Sequence, residues 1–356
     1  MSNTRTAIGQ RDINQERIGN GIRLPAIGGV LLAALLYPVV LGMFHRAVGS
    51  GMALPTGYAA ISAAVWLAAA FACPTLSLLC AIRLATGSVA TRAARRALRL
   101  AYFGAAAPTA YTLMGVVLYM LGNPVSDQWI WSAAWLLLAA WAAAAANDAL
   151  PVRDETVSLP GGLRVAHGAA AAIIAAYVLF HIANHLLGLL GPEAHAAIMK
   201  LGRSVYRARL VEPLLVALFL FQVGSGLALA WRWSGRAASA FRAFQVASGV
   251  YLSIFILGHM NSVFIFARTY LKIDTGWAFA TGAPAGLIHD PWNIRLVPHY
   301  WLGVFFALSH LASGLRVVLA AHGVAEATVA RAWAAGLAAS ALTATAIIAG
   351  MCGLRL

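Results

Sequence analysis

The chain has 356 residues, of which 61% are hydrophobic and 10% charged, and its formal net charge is +14. Soluble domains carry about 25% charged residues, so the composition excludes an ordinary water-soluble enzyme and a disordered chain. The arginines sit at the ends of long apolar runs, where they meet lipid headgroups, so no nucleic acid is expected as a partner. Three cysteines exclude a disulfide framework and a cysteine-ligated iron–sulfur cluster, which takes about four thiolates.

Residues 1–25 are polar, with Arg5, Arg11, Arg17 and Arg23, and read as a cytoplasmic tail. A helix crosses the hydrocarbon with about 20 apolar residues. Nine segments meet that length: 26–45, 58–82, 100–122, 129–149, 166–190, 210–231, 243–267, 296–320 and 331–352. The expected fold is all-α, a polytopic bundle of about nine helices in the lipid bilayer. Most Lys and Arg fall in segments on the side of the N-terminus, notably Arg92, Arg95, Arg96 and Arg99. That bias places the N-terminus in the cytoplasm and the chain in the inner (cytoplasmic) membrane. Four spans form an N-terminal membrane region, 26–150. A linker at 151–165, with Pro151, Asp154, Glu155 and Pro160, separates it from a five-span region, 166–356.

One outer segment, 191–209, breaks the charge rule with Lys200, Arg203, Arg207 and Arg209. Ile198, Leu201 and Val205 repeat there at helical spacing. The segment reads either as a short helix lying in the outer interface or as a solvated basic loop. A second outer segment, 271–295, is long for a connector and is suited to capping a site or docking a partner. Tyr300, Trp301, Trp129 and Trp131 lie near span ends, as in an aromatic belt.

Histidines concentrate after the linker, and ionisable groups inside a bilayer mark functional sites. His181 and His185 lie on the fifth span, His259 on the seventh, and His299 and His310 on the eighth. His181 follows Arg164 by 17 residues, and His259 follows Arg242 by the same number. At about 1.5 Å per residue each lies about 26 Å from the inner boundary. Two imidazoles at one depth on parallel helices suit the two axial positions of a haem iron, with the apolar rim of the porphyrin buried among helices. His185 and His299 are alternative ligands at that level, and His185 could instead bond a propionate. His310 lies six residues before Arg316, at an inner level, where the sixth span offers Gln222. The pairs Ser225-Gly226, Ser248-Gly249 and Ser313-Gly314 allow either close helix packing or the approach of a flat ring.

These residues resemble the cytochrome b membrane subunit of the succinate dehydrogenase/fumarate reductase superfamily, over 166–352. His181 in H-x-x-N matches the histidine of that family's first helix. Ser248-Gly249 followed by His259, with Arg268 downstream, matches its fourth, and His310 before Ser313-Gly314 matches its fifth. The sixth span resembles the second helix through Glu212-Pro213 and Ser225-Gly226, with Gln222 where the family has a histidine. The helix order departs from the family by one missing and one extra span, and the four N-terminal spans have no counterpart. The resemblance implies haem b, with an outer haem on His181 and His259 and a second, inner haem at His310. It implies electron exchange with a membrane quinone and a separate flavin or iron–sulfur subunit, so the chain is not catalytic alone. Gln222, Ser248 and His310 are the candidate quinone contacts, and Arg203, Arg207 or Arg268 the candidate propionate partners. Two other readings remain: a transporter or non-redox scaffold with a histidine proton relay, and a membrane di-iron oxygenase built on His181-x-x-x-His185.

Overall fold

The computed structural model describes residues 3–49, 55–145 and 161–356, with side chains from residue 25 onward. Among these residues the chain is all-helical and forms a polytopic membrane bundle. Helix α1 runs Asn3–Val48, α2 Gly57–Ala85, α3 Arg92–Ala105, α4 Ala107–Met120 and α5 Asp127–Ala143. The second half holds α6 (Gly162–Leu186), α7 (Pro192–Tyr206), α8 (Val211–Trp233), α9 (Ala240–Met260), α10 (Trp277–Ala280), α11 (Leu296–Ala321) and α12 (Glu326–Met351). A π-helical segment, Asn261–Leu271, continues α9 outward.

Seven of these helices are long and apolar enough to cross a membrane. The expected third span is instead a broken pair, α3 and α4, bent by 69°. The bend has a local cause: Pro108 stands in the first turn of α4, where it cannot continue the hydrogen-bond ladder of α3. The expected fourth span has 17 described residues in α5. Most of the expected linker, 151–160, lies outside the described residues. Large apolar side chains cover the outward faces, with Ile61 65%, Leu137 72% and Leu342 73% exposed. Such a surface is intolerable in water and belongs in lipid.

The two halves share one core. α9 packs against α2, α3, α4, α8 and α11. It is buried on several sides, through Ala243, Phe244, Ala247, Tyr251 and Gly258, as expected of a helix at the centre of a bundle. One hydrophobic cluster runs from α1–α5 into Ala230 of α8 and Ala243, Val246 and Ala247 of α9. The halves are also joined by a buried ion pair. Arg295, 7% exposed, donates from Nη1 to Asp127 Oδ2 at 2.6 Å, and the Tyr111 hydroxyl donates to Asp127 Oδ1 at 3.1 Å. The guanidinium lies 4.5 Å from the Tyr111 ring centre and 4.7 Å from that of Trp292. Gly115 permits this approach, since a Cβ there would lie 2.6 Å from Arg295 Nη1.

One detail corrects the sequence reading, and a second decides between its two alternatives for 191–209. Trp131 is a core residue, 3% exposed, whose Nε1 donates to the Ala34 carbonyl at 2.7 Å; of the two α5 tryptophans expected in an aromatic belt, only Trp129, 74% exposed, faces outward. The basic segment 191–209 is a helix, α7, and not a loop. Gly191, at φ 126°, turns the chain into it, a conformation that side chains other than hydrogen disfavour. Leu201 and Val205 face out, while His195 and Gly202 face the protein.

Candidate functional site

The outer level gathers more histidines than a single axial pair. His181 and His259 face one another from α6 and α9, with ring centres 5.9 Å apart and planes at 71°. Both side chains are half-buried. Their equal depth follows from the parallel run of α6 and α9 and from the matching distances to Arg164 and Arg242. Tyr177 stacks on His181 at 5.7 Å, and Phe255 stacks on His259 at 5.8 Å. Each lies one helical turn before its histidine on the same face, which the sequence spacing dictates.

His185, one turn after His181, meets it edge-on at 4.7 Å. Its other neighbour is His195 of α7, at 5.2 Å. Trp277 from the outer loop closes this end, 4.8 Å from His195 and 6.3 Å from His185. The indole fits only because residue 188 is glycine: a Cβ there would lie 1.9 Å from the Trp277 ring. His299 is set apart from the facing pair. Phe255 touches both it and His259, with its ring centre 4.8 Å from that of His299, and Gly303 makes room for the phenyl ring. His299 is held by its backbone, whose carbonyl accepts from the Tyr251 hydroxyl at 2.8 Å.

Six of the twelve buried side-chain polar atoms that lack partners among the described residues belong to this level. Asn184 Oδ1, His185 Nδ1, His195 Nδ1, Asn261 Nδ2 and His299 Nδ1 are buried and unbonded, and so is Arg203 Nε on α7. Native structures leave few such atoms, and each calls for water, an ion or a ligand to complete its bonding. Burial lowers the pKa of His195, with the Arg203 charge adding to the effect, so this imidazole is held neutral.

The expected propionate partners divide. Arg268 is committed to Glu212, with Nη1–Oε1 at 2.6 Å and Nη2–Oε2 at 3.4 Å. Arg203 and Arg207 instead converge on one neutral hydroxyl, Thr275 Oγ1, at 3.1 and 3.0 Å. Burial, then the charges of Arg203 and Arg268, lower the pKa of Arg207. Two guanidiniums drawn to one hydroxyl form a site with an excess of positive charge, suited to an anion.

The inner level differs from the sequence expectation. Gln222 does not meet His310. Its Nε2 lies 3.3 Å from His167 Nε2, and His167 Nδ1 lies 2.8 Å from Ser225 Oγ. His310 Nδ1 pairs with Ser248 Oγ at 2.9 Å. The Ser-Gly pairs therefore have a common meaning at two of three places. The serine bonds an imidazole, and the glycine makes room for it: a Cβ at Gly226 would meet His167 at 3.4 Å, and one at Gly249 would meet His310 at 3.3 Å. The third pair differs, because Ser313 accepts from Trp333 Nε1 at 2.9 Å.

Sequence reasoning passed over His167 and His195, and used Asn184 only as the last residue of H-x-x-N. His167 carried a signal, since it precedes His181 by 14 residues, four turns of one helix. His195 carried a weaker one, because its helix was distinguished by its basic residues. Among the described residues no group of three or more His, Cys, Asp and Glu side chains is arranged to hold one metal ion. Comparison of the chain with protein-family models, curated proteins and solved structures finds no match.

Proposed function

We propose that the chain is a haem b electron-transfer subunit of the inner membrane, N-terminus in the cytoplasm, which exchanges electrons with quinone and with a separate flavin or iron–sulfur subunit. The observation that carries this reading is the facing of His181 and His259. Their ring centres lie 5.9 Å apart on two parallel helices at one depth, which brings two nitrogen donors together of the kind a haem iron takes. The unbonded nitrogens and amide oxygen around the pair, and the two guanidiniums at the outer surface, fit a buried group with an anionic edge.

His181 and His259 would hold the iron. Bound haem supplies one-electron chemistry at a potential set by its ligands and burial. Tyr177 and Phe255 fix the two rings from behind by stacking. Arg203 and Arg207 offer cations to propionates, while Arg268 is neutralised by Glu212. α7 and Trp277 cover the cluster and keep water out. The inner His167–Ser225 and His310–Ser248 pairs orient a second set of imidazoles, which suits a second cofactor.

Pyridine haemochrome content per chain tests the proposal. Wild type is expected to hold at least one haem b, and His181→Ala and His259→Ala each to lose one, while His322→Ala loses none. Wild-type protein expressed with ample haem and isolated without any b-type absorption would overturn it.

A further inference from the structure

A cavity of about 410 Å³ opens at the outer level, apart from the His181–His259 contact. His259 and His299 line it, and His181 does not. Its walls come from both halves of the chain: Thr112 and Val116 from α4, Phe266 from the π segment, Phe279 from the outer loop, and Tyr300 from α11. The volume lies in the range of about 300–1,000 Å³ that small-molecule sites occupy, and such sites combine apolar walls with a few placed polar groups.

The chemistry of the lining selects a ligand class. Phe266, Phe279, Trp292 and Tyr300 offer aromatic surface, which suits a flat ring. No lysine or arginine lines the cavity among the described residues, and Asp274 stands exposed in its lining, so an anionic ligand is disfavoured. Two lining polar groups are buried, Thr112 and His299, each 4% exposed; the Thr112 hydroxyl donates to the Pro108 carbonyl, whereas His299 Nδ1 has no partner. A buried N–H without an acceptor is rarer and costlier than a bare acceptor, so the proton belongs on Nε2. The ring then presents one hydrogen-bond donor to a guest.

We infer that this cavity binds a flat, uncharged ring compound bearing a carbonyl oxygen, of the quinone class, with His299 Nε2–H as the donor to that oxygen. The inference rests on the electron-transfer reading for the identity of the ligand class, and it moves the quinone from the inner residues Gln222, Ser248 and His310 to the outer level. Of these inner side chains, His310 and Ser248 already bond each other, and Gln222 meets His167 through Nε2 and keeps only Oε1 without a partner. It also gives the N-terminal helices a part in the site, because α4 supplies one wall.

The test is titration of the purified full-length protein in detergent with a short-chain ubiquinone analogue, read by quenching of tryptophan fluorescence. Saturable quenching is expected, and Trp292→Phe should remove a large share of its amplitude. Ala278→Trp, at an exposed lining residue, should abolish saturation by filling the cavity. His299→Leu should weaken binding by about tenfold, as for the loss of one hydrogen bond to a buried group. Wild-type protein without saturable quenching, or equal affinity in Ala278→Trp and His299→Leu, overturns the inference. Haem content is measured in the same samples and should be unchanged in Ala278→Trp. Haem-free protein that still binds the analogue sinks the electron-transfer reading alone, and haem-loaded protein that does not bind it sinks this one alone.

Discussion

Removing Asp127 should strand a buried cation. The Arg295 side chain is 8% exposed, and its one carboxylate partner, 22% exposed, lies at 2.6 Å. Breaking such a pair from one side costs about 3–5 kcal/mol, because the remaining charge has neither water nor counter-ion. Two features lower the cost here. Arg295 keeps its bond from Nε to the Trp292 carbonyl at 3.0 Å, and its contacts with two aromatic rings. We therefore expect Asp127→Ala to lose about 3 kcal/mol, at the lower edge of that range. Reversible unfolding in mixed detergent with sodium dodecyl sulfate, followed by tryptophan fluorescence, measures it. The double variant Asp127→Leu with Arg295→Met should recover most of the loss, since no buried charge remains. A loss below about 1 kcal/mol in Asp127→Ala, the size of an exposed pair, would refute the argument. The same variant should weaken the analogue binding described above, because Trp292 and Leu296, beside Arg295, line the cavity.

Further outcomes follow from the outer cluster. Gly188→Ala should displace Trp277 and cost about 1–3 kcal/mol by overpacking, with a shift in tryptophan emission as the indole meets water. His195 binds its proton less readily in the folded protein than in the unfolded chain, so its contribution to stability is present above the unfolded pKa of 6.5 and is lost as pH falls through and below it. Thermal stability should accordingly drop between pH 7.5 and pH 5.5, and His195→Gln should flatten that part of the profile; an unchanged slope would count against it. If Arg203 and Arg207 hold haem propionates, replacing both with Gln should lower the haem potential, because fewer positive charges then oppose the oxidised iron. Redox titration that shows no shift removes them from the site.

The membrane bundle was legible because nothing but lipid tolerates this composition. The spans were readable to within a few residues where apolar runs were unbroken. The α3–α4 bend was not, because hydropathy averages across a proline that the backbone must obey. Depth arithmetic brought His181 and His259 to one level because a helix converts sequence distance into height. It could not tell azimuth, and so it left His299 level with the pair without showing that Phe255 packs against both His259 and His299. Gln222 and His310 were matched by height alone, whereas the lateral arrangement of α6, α8, α9 and α11 gives each a different partner. Arg268 looked free in sequence because Glu212 lies 56 residues away and meets it only in three dimensions.

The π segment Asn261–Leu271 makes the cavity's rim adjustable by length. A wide turn uses more residues than an α turn, so deletion of one residue lets the segment tighten without breaking its backbone bonding. The tightened turn absorbs the missing residue, so the chain beyond it keeps its register, while Phe266 inside the segment is re-aimed and His259, upstream, stays in place. Chains differing by a single residue in this stretch would thus offer a guest a different aromatic wall over an unaltered imidazole floor.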